Sequence, residues 1–139
     1  MAATKILLDS GPLVGFVSIT DQHHRWSLET WNSLYEPLWT CEAVLSETIF
    51  LLQSDGVAID ALLELFEREL VKLDFSVSAH QPDIWDLLRK YDDQPISLAD
   101  ACLVRMAELN DHCQIFMTDK DFLVYRRKGR RMIPLLAPF

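Results

Sequence analysis

Four acidic residues stand at the ends or edges of apolar segments, where an unpaired carboxylate is costly. They occur in the segments ILLDSGPLV, AVLSETIFLL, ISLADACLV and IFMTDKDF, and are Asp9, Glu47, Asp100 and Asp119. Burying an ionised carboxylate costs on the order of several kcal/mol unless it is paired, hydrogen-bonded or bound to a metal ion. Four such placements suggest that the side chains converge on one positive charge. A divalent metal ion is the most economical such charge, because hard cations prefer oxygen ligands.

Each of these acids also has a structural explanation that the sequence leaves open. Asp9 could cap the helix that follows it, although Ser10 could do so instead. Glu47 lies at the edge of a helical apolar stripe and could extend past it into water. Ser97 and Asp100 have the spacing of a capping box, in which an acid at the N3 position reaches back to the helix cap. Asp100 nevertheless shares its helix face with apolar residues, so we expect it to point toward the core.

The apolar pattern predicts short buried strands that alternate with helices. Strands are predicted at residues 4–8, 37–40, 71–75, 115–118 and 132–135, and helices at 11–18, 21–35, 41–53, 57–70, 82–91 and 97–109. Asp21 and Thr40 are the predicted N-caps of the second and third helices. This alternation predicts a single α/β domain over residues 1–139, with a mainly parallel sheet covered on both faces.

The predicted sheet explains how two of the acids could meet. Asp9 follows the first strand, and Asp119 follows the strand that ends at Thr118. Ligands bind at the carboxyl ends of the strands in such sheets, so both acids should emerge at the same edge. Thr118 could hydrogen-bond a carboxylate there. Asp119 and Asp121 could alternatively form a simple turn.

The charge is strongly divided along the chain. The formal net charge is −8, yet residues 120–139 hold 6 Lys/Arg and 1 Asp, whereas residues 1–119 hold 7 Lys/Arg and 20 Asp/Glu. The basic residues of this block are Lys120, Arg126, Arg127, Lys128, Arg130 and Arg131. A cationic patch beside a carboxylate cluster could hold a phosphate backbone, although a solvated charge run is the alternative.

Other kinds of site are less well supported. Cys41, Cys102 and Cys113 have no CxxC spacing and are expected to be buried free thiols. His23 and His24 are adjacent, so on a helix they cannot face one site, and we interpret them as polar residues at a helix start. No apolar run is long enough to cross a membrane and no signal peptide is evident, so the expected compartment is the cytoplasm.

The four motifs together resemble a known family. LLDSGPLV, the SE pair of AVLSETIFLL, KYDDQPISLADACLV and MTDKDFLVYRRKGR occur in order between Ile6 and Leu136. The chain thereby resembles the PIN-domain ribonucleases, and within them the VapC-type toxins of toxin–antitoxin systems and their solitary relatives. The resemblance implies a three-layer α/β/α sandwich with a parallel central sheet, in agreement with the strand and helix pattern.

The resemblance also implies a set of functional residues and partners. Asp9, Glu47, Asp100 and Asp119 correspond to the acids that bind Mg²⁺ or Mn²⁺ in an endoribonuclease, with Ser10, Thr118 and Asp121 beside them. The basic block would contact the RNA backbone. The implied partners are an RNA substrate, a small antitoxin protein and a second copy of the chain in a homodimer, with no membrane involved.

Two other functions are alternatives to an endoribonuclease. The first is phosphoryl transfer through an aspartyl phosphate, as in receiver or haloacid-dehalogenase-like domains. The haloacid-dehalogenase type requires a DxD directly after the first strand, and Ser10-Gly11-Pro12 follows Asp9 instead. A PIN-like binding protein with little nuclease activity remains an alternative. The aromatic residues Trp26, Trp31, Trp39 and Trp85 could then form a partner surface, although core positions are more usual for tryptophan.

Overall fold

Short strands and amphipathic helices alternate along the chain. The computed structural model describes residues 3–91 and 93–139; Met1, Ala2 and Asp92, the last within the third motif, lie outside the described residues. The strands are β1 Lys5–Leu8, β2 Leu38–Thr40, β3 Val71–Leu73, β4 Cys113–Phe116, β5 Arg126–Arg127, β6 Arg131–Met132 and β7 Leu135–Leu136. The helices are α1 Ser10–Val17, α2 His24–Asn32, α3 Glu42–Ser54, α4 Asp60–Glu67, α5 Gln81–Lys90 and α6 Leu98–Glu108. Short 3₁₀ turns span Ser78–His80 and Lys120–Leu123.

The central sheet is parallel, as predicted. Within the described residues it has the strand order β3-β2-β1-β4-β7, and every neighbouring pair in it is parallel. Leu8 pairs with Phe116, so β1 and β4 end at the same level. Leu7, Leu8, Ile115 and Phe116 are fully buried because helices cover both faces of the sheet. The α/β/α class of the fold is therefore confirmed.

The C-terminal part differs from the prediction of one strand at 132–135. Arg126–Arg127 and Arg131–Met132 form an antiparallel hairpin, and the sheet instead gains Leu135–Leu136. Lys128 and Gly129 take φ values of 52° and 79° in the three-residue connection between Arg127 and Arg131, a left-handed conformation that glycine adopts without steric cost. Pro134 cannot donate a ladder hydrogen bond and separates the two pieces.

Two predicted helix caps are wrong. Helix α2 begins at His24, and Asp21 instead accepts a hydrogen bond from the backbone N–H of His23 at 2.9 Å, in the turn before the helix. Cys41 occupies the N-cap of α3. The hydroxyl of Thr40 donates to the Leu8 carbonyl at 2.7 Å, so it joins β2 to β1. Asp21 therefore closes the turn before α2, and Thr40 joins two strands.

Several predicted core features are confirmed. The three cysteines are free and buried. Trp26 and Trp31 pack edge-on against Phe116, with ring centroids 5.4 and 6.2 Å away; Trp31 is buried in the core and the partly buried Trp26 packs against it. Trp39 lies beneath the ammonium of Lys5.

Within the described part of the chain, no helix is long and apolar enough to cross a membrane.

Candidate active site

The four predicted acids line one cavity of about 370 Å³ beyond the carboxyl ends of β1 and β4. The other residues that line it are Ser10, Gly11, Leu51, Pro95, Ser97, Thr118 and Asp121. The cavity thus gathers residues from the end of β1, from α3, from the start of α6 and from the segment after β4. Asp9 and Asp119, which are 110 positions apart in the sequence, thus meet at the edge that parallel strands predict.

Asp9 is held at the end of β1 by its backbone. Its N–H donates to the carbonyl of Phe116 at 3.0 Å, which continues the β1–β4 ladder by one step. Asp9 has the extended conformation of an N-cap of α1, but its side chain makes no capping hydrogen bond. The residue is only 4% exposed, and its Oδ1 has no hydrogen-bond partner within the described residues. Helix capping therefore does not explain this buried carboxylate.

The Ser97 half of the predicted capping box is confirmed, whereas the Asp100 carboxylate makes no hydrogen bond back to the cap within the described residues. Ser97 caps α6, and its hydroxyl accepts a hydrogen bond from the backbone N–H of Asp100 at 3.0 Å. The Asp100 carboxylate itself faces the cavity, where its Oδ2 accepts a hydrogen bond from the phenol of Tyr125 at 3.3 Å. The cap uses the backbone of Asp100 and leaves its side chain in the cavity.

Glu47 and Asp119 complete the acidic lining from two different elements. Glu47 lies in the middle of α3 and is partly buried, next to the fully buried Thr48. Asp119 caps the following 3₁₀ turn, and its Oδ1 accepts a hydrogen bond from the N–H of Asp121 at 2.9 Å. Asp119 therefore does form the turn that was the alternative interpretation, through its Oδ1. The residue also lines the cavity.

The electrostatics of the cavity are those of crowded negative charge. Burial raises the pKa of Asp9 well above its usual value, and the charges of Asp100, Glu47 and Asp119 raise it further. Burial, followed by the charges of Glu47 and Asp119, raises the pKa of Asp100 to about 7. The carboxylates therefore repel one another, and a bound cation would relieve that repulsion.

The donor set fits a hard divalent cation. It consists of carboxylate oxygens, and the unpaired Oδ1 of Asp9 is a buried acceptor without a protein donor in the described residues. Within residues 3–91 and 93–139, no three His, Cys, Asp or Glu side chains are already grouped closely enough to hold a metal ion. A cation bound here would therefore reach some of the carboxylates through water, as Mg²⁺ commonly does because it keeps several of its waters.

The basic block does not form one uniform patch. Arg126 donates to the carbonyls of Leu123 and Tyr125 at 2.7 and 3.0 Å. Arg127 is partly buried and donates to the carbonyls of Ala107 and Asn110 at 3.3 and 3.2 Å.

The remaining basic side chains are exposed. Lys128 pairs with Asp111 at 3.0 Å. Lys120, Arg130 and Arg131 are exposed, and within the described residues none of them forms an ion pair. These three are therefore the members of the block that are both exposed and without a competing ion pair in the described residues.

Sequence reasoning missed Tyr125 and Gly11. Tyr125 is 1% exposed, and a buried phenol usually finds a hydrogen-bond partner, which here is an acid of the cavity. Gly11 lies so close to Thr118 that a Cβ at position 11 would overlap the Thr118 hydroxyl. The tyrosine could have been found as an aromatic residue inside a basic run. The glycine gave no specific signal beyond its place after Asp9.

Comparisons with known proteins agree with the fold. The PIN domain family profile matches residues 6–128. The crystal structure of Mycobacterium tuberculosis VapC20, described as a Sarcin-Ricin loop cleaving toxin, superimposes with a TM-score of 0.77 and 20% sequence identity, covering 91% of this chain and 99% of that one. No curated protein matches the chain in sequence.

Proposed function

Because the chain belongs to the PIN domain family, we propose that it is a metal-dependent endoribonuclease that hydrolyses RNA phosphodiester bonds at the carboxylate cavity. The observation that carries this proposal is the gathering of Asp9, Glu47, Asp100 and Asp119 in one cavity, with the Asp9 carboxylate buried and one of its oxygens unpaired in the described residues. Such an arrangement weakens a fold unless a cation offsets it, so a functional explanation is favoured over a structural one.

We propose the four acids as ligands of Mg²⁺ or Mn²⁺, some of them through water. When bound, the ion would lower the pKa of a water molecule and stabilise negative charge on the phosphodiester. Ser10, Thr118 and Asp121 lie beside the acids and would hydrogen-bond the carboxylates or the waters around them.

The chain's own residues would orient the reaction. Asp9 is fixed by the β1–β4 ladder and Asp100 by the first turn of α6, so both carboxylates stand on rigid elements. In the metal-free protein the clustered negative charge repels a phosphate group. RNA should therefore bind productively only after a cation has offset the charge of the carboxylates.

Exposed basic residues would hold the RNA backbone near the cavity. Lys120 lies between Asp119 and Asp121, and Arg130 and Arg131 lie on the β5–β6 hairpin. All three are exposed, in contrast to the partly buried Arg126 and Arg127. We therefore propose Lys120, Arg130 and Arg131 as the principal backbone contacts, and assign Arg126 and Arg127 mainly to holding the hairpin.

The same proposal includes the toxin role of the VapC type. The likeness of this chain to VapC20 suggests a cytoplasmic toxin that is restrained by a small antitoxin protein and that forms a homodimer. The Sarcin-Ricin loop cleaved by VapC20 is one place where new RNA ends should be sought, alongside other RNAs.

The experiment is to map new 5′ ends in total RNA after induced expression, with the Asp100→Ala variant as the control. The proposal predicts discrete new ends with the wild-type protein and none with the variant. A binding protein with little nuclease activity would give identical RNA in both samples, and that result would overturn the proposal.

A further inference from the structure

The phenol of Tyr125 contacts one oxygen of the Asp100 carboxylate. The Tyr125 hydroxyl donates to Oδ2 of Asp100 at 3.3 Å, across 25 residues of sequence. The ring is 1% exposed, so water does not compete freely for this hydroxyl. Asp100 is therefore the one cavity acid whose carboxylate is hydrogen-bonded by a buried aromatic side chain within the described residues.

Packing fixes the position of Tyr125 independently of Asp100. Its ring meets those of Tyr91 and Phe122 edge-on, with centroids 5.1 and 5.2 Å away. Phe122 is itself buried. Edge-to-face aromatic contacts of this kind restrict both the position and the tilt of a ring. The phenol is thus a fixed donor toward which the more exposed carboxylate must turn.

The backbone around Tyr125 is also anchored. The next residue, Arg126, donates its N–H to the Tyr91 hydroxyl at 2.9 Å. The Arg127 guanidinium donates to the carbonyls of Ala107 and Asn110 at the end of α6. The segment that carries the phenol is therefore bound to the same helix whose first turn carries Asp100.

A fixed donor on one oxygen determines how a carboxylate is presented. The terminal torsion of an Asp side chain is broad, so an unrestrained Asp100 would sample many orientations. A hydrogen bond to Oδ2 selects one of them and leaves Oδ1 available to a ligand. Residues that orient a metal ligand in this way commonly alter metal affinity when they are changed.

We propose that Tyr125 is a positioning residue, whose phenol orients the Asp100 carboxylate for a divalent cation in the cavity. The inference rests on the proposed function, because it concerns the same site. Tyr125 acts through Asp100 and does not itself touch the reacting groups.

The test compares two variants that each lose one hydroxyl from the same aromatic cluster. Tyr125→Phe removes the contact with Asp100, whereas Tyr91→Phe removes a hydrogen bond to the Arg126 backbone and leaves the Arg127 contacts that also anchor the segment. Binding of Mn²⁺ to the purified RNA-free protein is measured by electron paramagnetic resonance, and unfolding is measured by urea in EDTA. We expect Tyr125→Phe to weaken Mn²⁺ binding about tenfold or more and Tyr91→Phe to change it by less than about twofold.

Urea unfolding in EDTA separates positioning from simple loss of stability, and a second readout connects the weakened Mn²⁺ affinity to catalysis. If Tyr125 orients Asp100, saturating Mn²⁺ should restore the RNA cleavage rate of Tyr125→Phe toward that of the wild type. If the wild type binds Mn²⁺ and Tyr125→Phe binds it with the same affinity, this inference is overturned and the proposed function stands. A wild-type protein that binds no Mn²⁺ would overturn both.

Discussion

The charge of Asp100 acts on the buried carboxylate of Asp9 across the candidate site. It is the largest influence on the pKa of Asp9 after burial itself, and both effects raise that pKa. Neither acid is paired with a basic side chain in the described residues. The charge of Asp100 therefore opposes the ionisation of Asp9 in the metal-free protein, while burial, Glu47 and Asp119 oppose that of Asp100. This crowding of negative charge has measurable consequences.

The first consequence is a loss of stability as the pH rises. The pKa of Asp100 is raised to about 7, above its usual value in an unfolded chain, so the native state holds a proton that the unfolded state has already lost. The contribution of Asp100 to the free energy of unfolding is therefore fully present below about pH 4 and is lost as the pH rises through about 7.

The Asp100→Asn variant isolates this contribution, because asparagine resembles the protonated acid in shape. In EDTA, the variant should be nearly as stable as the wild type at about pH 4 and more stable by on the order of 2 kcal/mol at about pH 8. Urea denaturation at both pH values measures the difference. A difference in stability between the variant and the wild type that does not change with pH would contradict the raised pKa of Asp100.

The second prediction concerns added metal. A ligand that binds only the folded protein raises its stability in proportion to the logarithm of its concentration. Mg²⁺ or Mn²⁺ should therefore raise the melting temperature of the wild type above that in EDTA at about pH 8. This rise in melting temperature should be reduced or absent in the Asp9→Asn variant. Scanning calorimetry of both proteins, in buffer without Ca²⁺, provides the comparison. An equal rise in both would place the cation elsewhere.

The third prediction separates two neighbouring arginines on the hairpin. Arg127→Ala should lower the free energy of unfolding by about 1–3 kcal/mol, because carbonyls at the end of α6 lose their donor. Arg130→Ala should change stability by less than about 0.5 kcal/mol, because the side chain is exposed.

RNA binding should reverse this order of effects. The test uses an Asp9→Asn background, in which RNA is expected to stay intact. Arg130→Ala should weaken the binding of a single-stranded RNA. It should also reduce, by about 0.7, the slope of the logarithm of the binding constant against the logarithm of the salt concentration. Titrations at several NaCl concentrations measure this slope. An unchanged slope would remove Arg130 from the RNA contacts.

The fourth prediction concerns the close approach of Gly11 and Thr118. A Cβ at position 11 would overlap the Thr118 hydroxyl, so Gly11→Ala should destabilise the protein by about 1–3 kcal/mol. Adding Thr118→Ala should restore part of that loss, because the overlapping hydroxyl is gone. A double-mutant cycle in urea measures the coupling. Simple additivity would show that the two residues do not compete for the same space.

The sheet edge could be predicted from sequence because it depends only on strand direction. Asp9 and Asp119 each follow a buried strand, and parallel strands bring those ends together whatever the details of packing. Asp100 could not be resolved in the same way. Its backbone serves the Ser97 cap while its carboxylate faces the cavity, so both interpretations were compatible with one sequence pattern.

Other parts of the site depend on tertiary contacts that no local pattern records. Tyr125 lies 25 residues after Asp100, and the contact between them arises from the hairpin that packs beside α6. The sequence likewise gave no way to distinguish Arg127, held against the carbonyls of Ala107 and Asn110, from Arg130, which is exposed. A run of like charges predicts an exposed surface, and a fold can still use some of its members internally.

The central claim is that the carboxylate cavity cuts RNA with a divalent metal ion. Its most direct test is the cleavage of total RNA by purified protein, with Mg²⁺ or Mn²⁺ against EDTA, for the wild type and for Asp9→Asn. We predict discrete products from the wild type only when metal is present, and a loss of at least about a hundredfold in rate for the variant. Metal-dependent cleavage that survives intact in Asp9→Asn would contradict the assignment of this site.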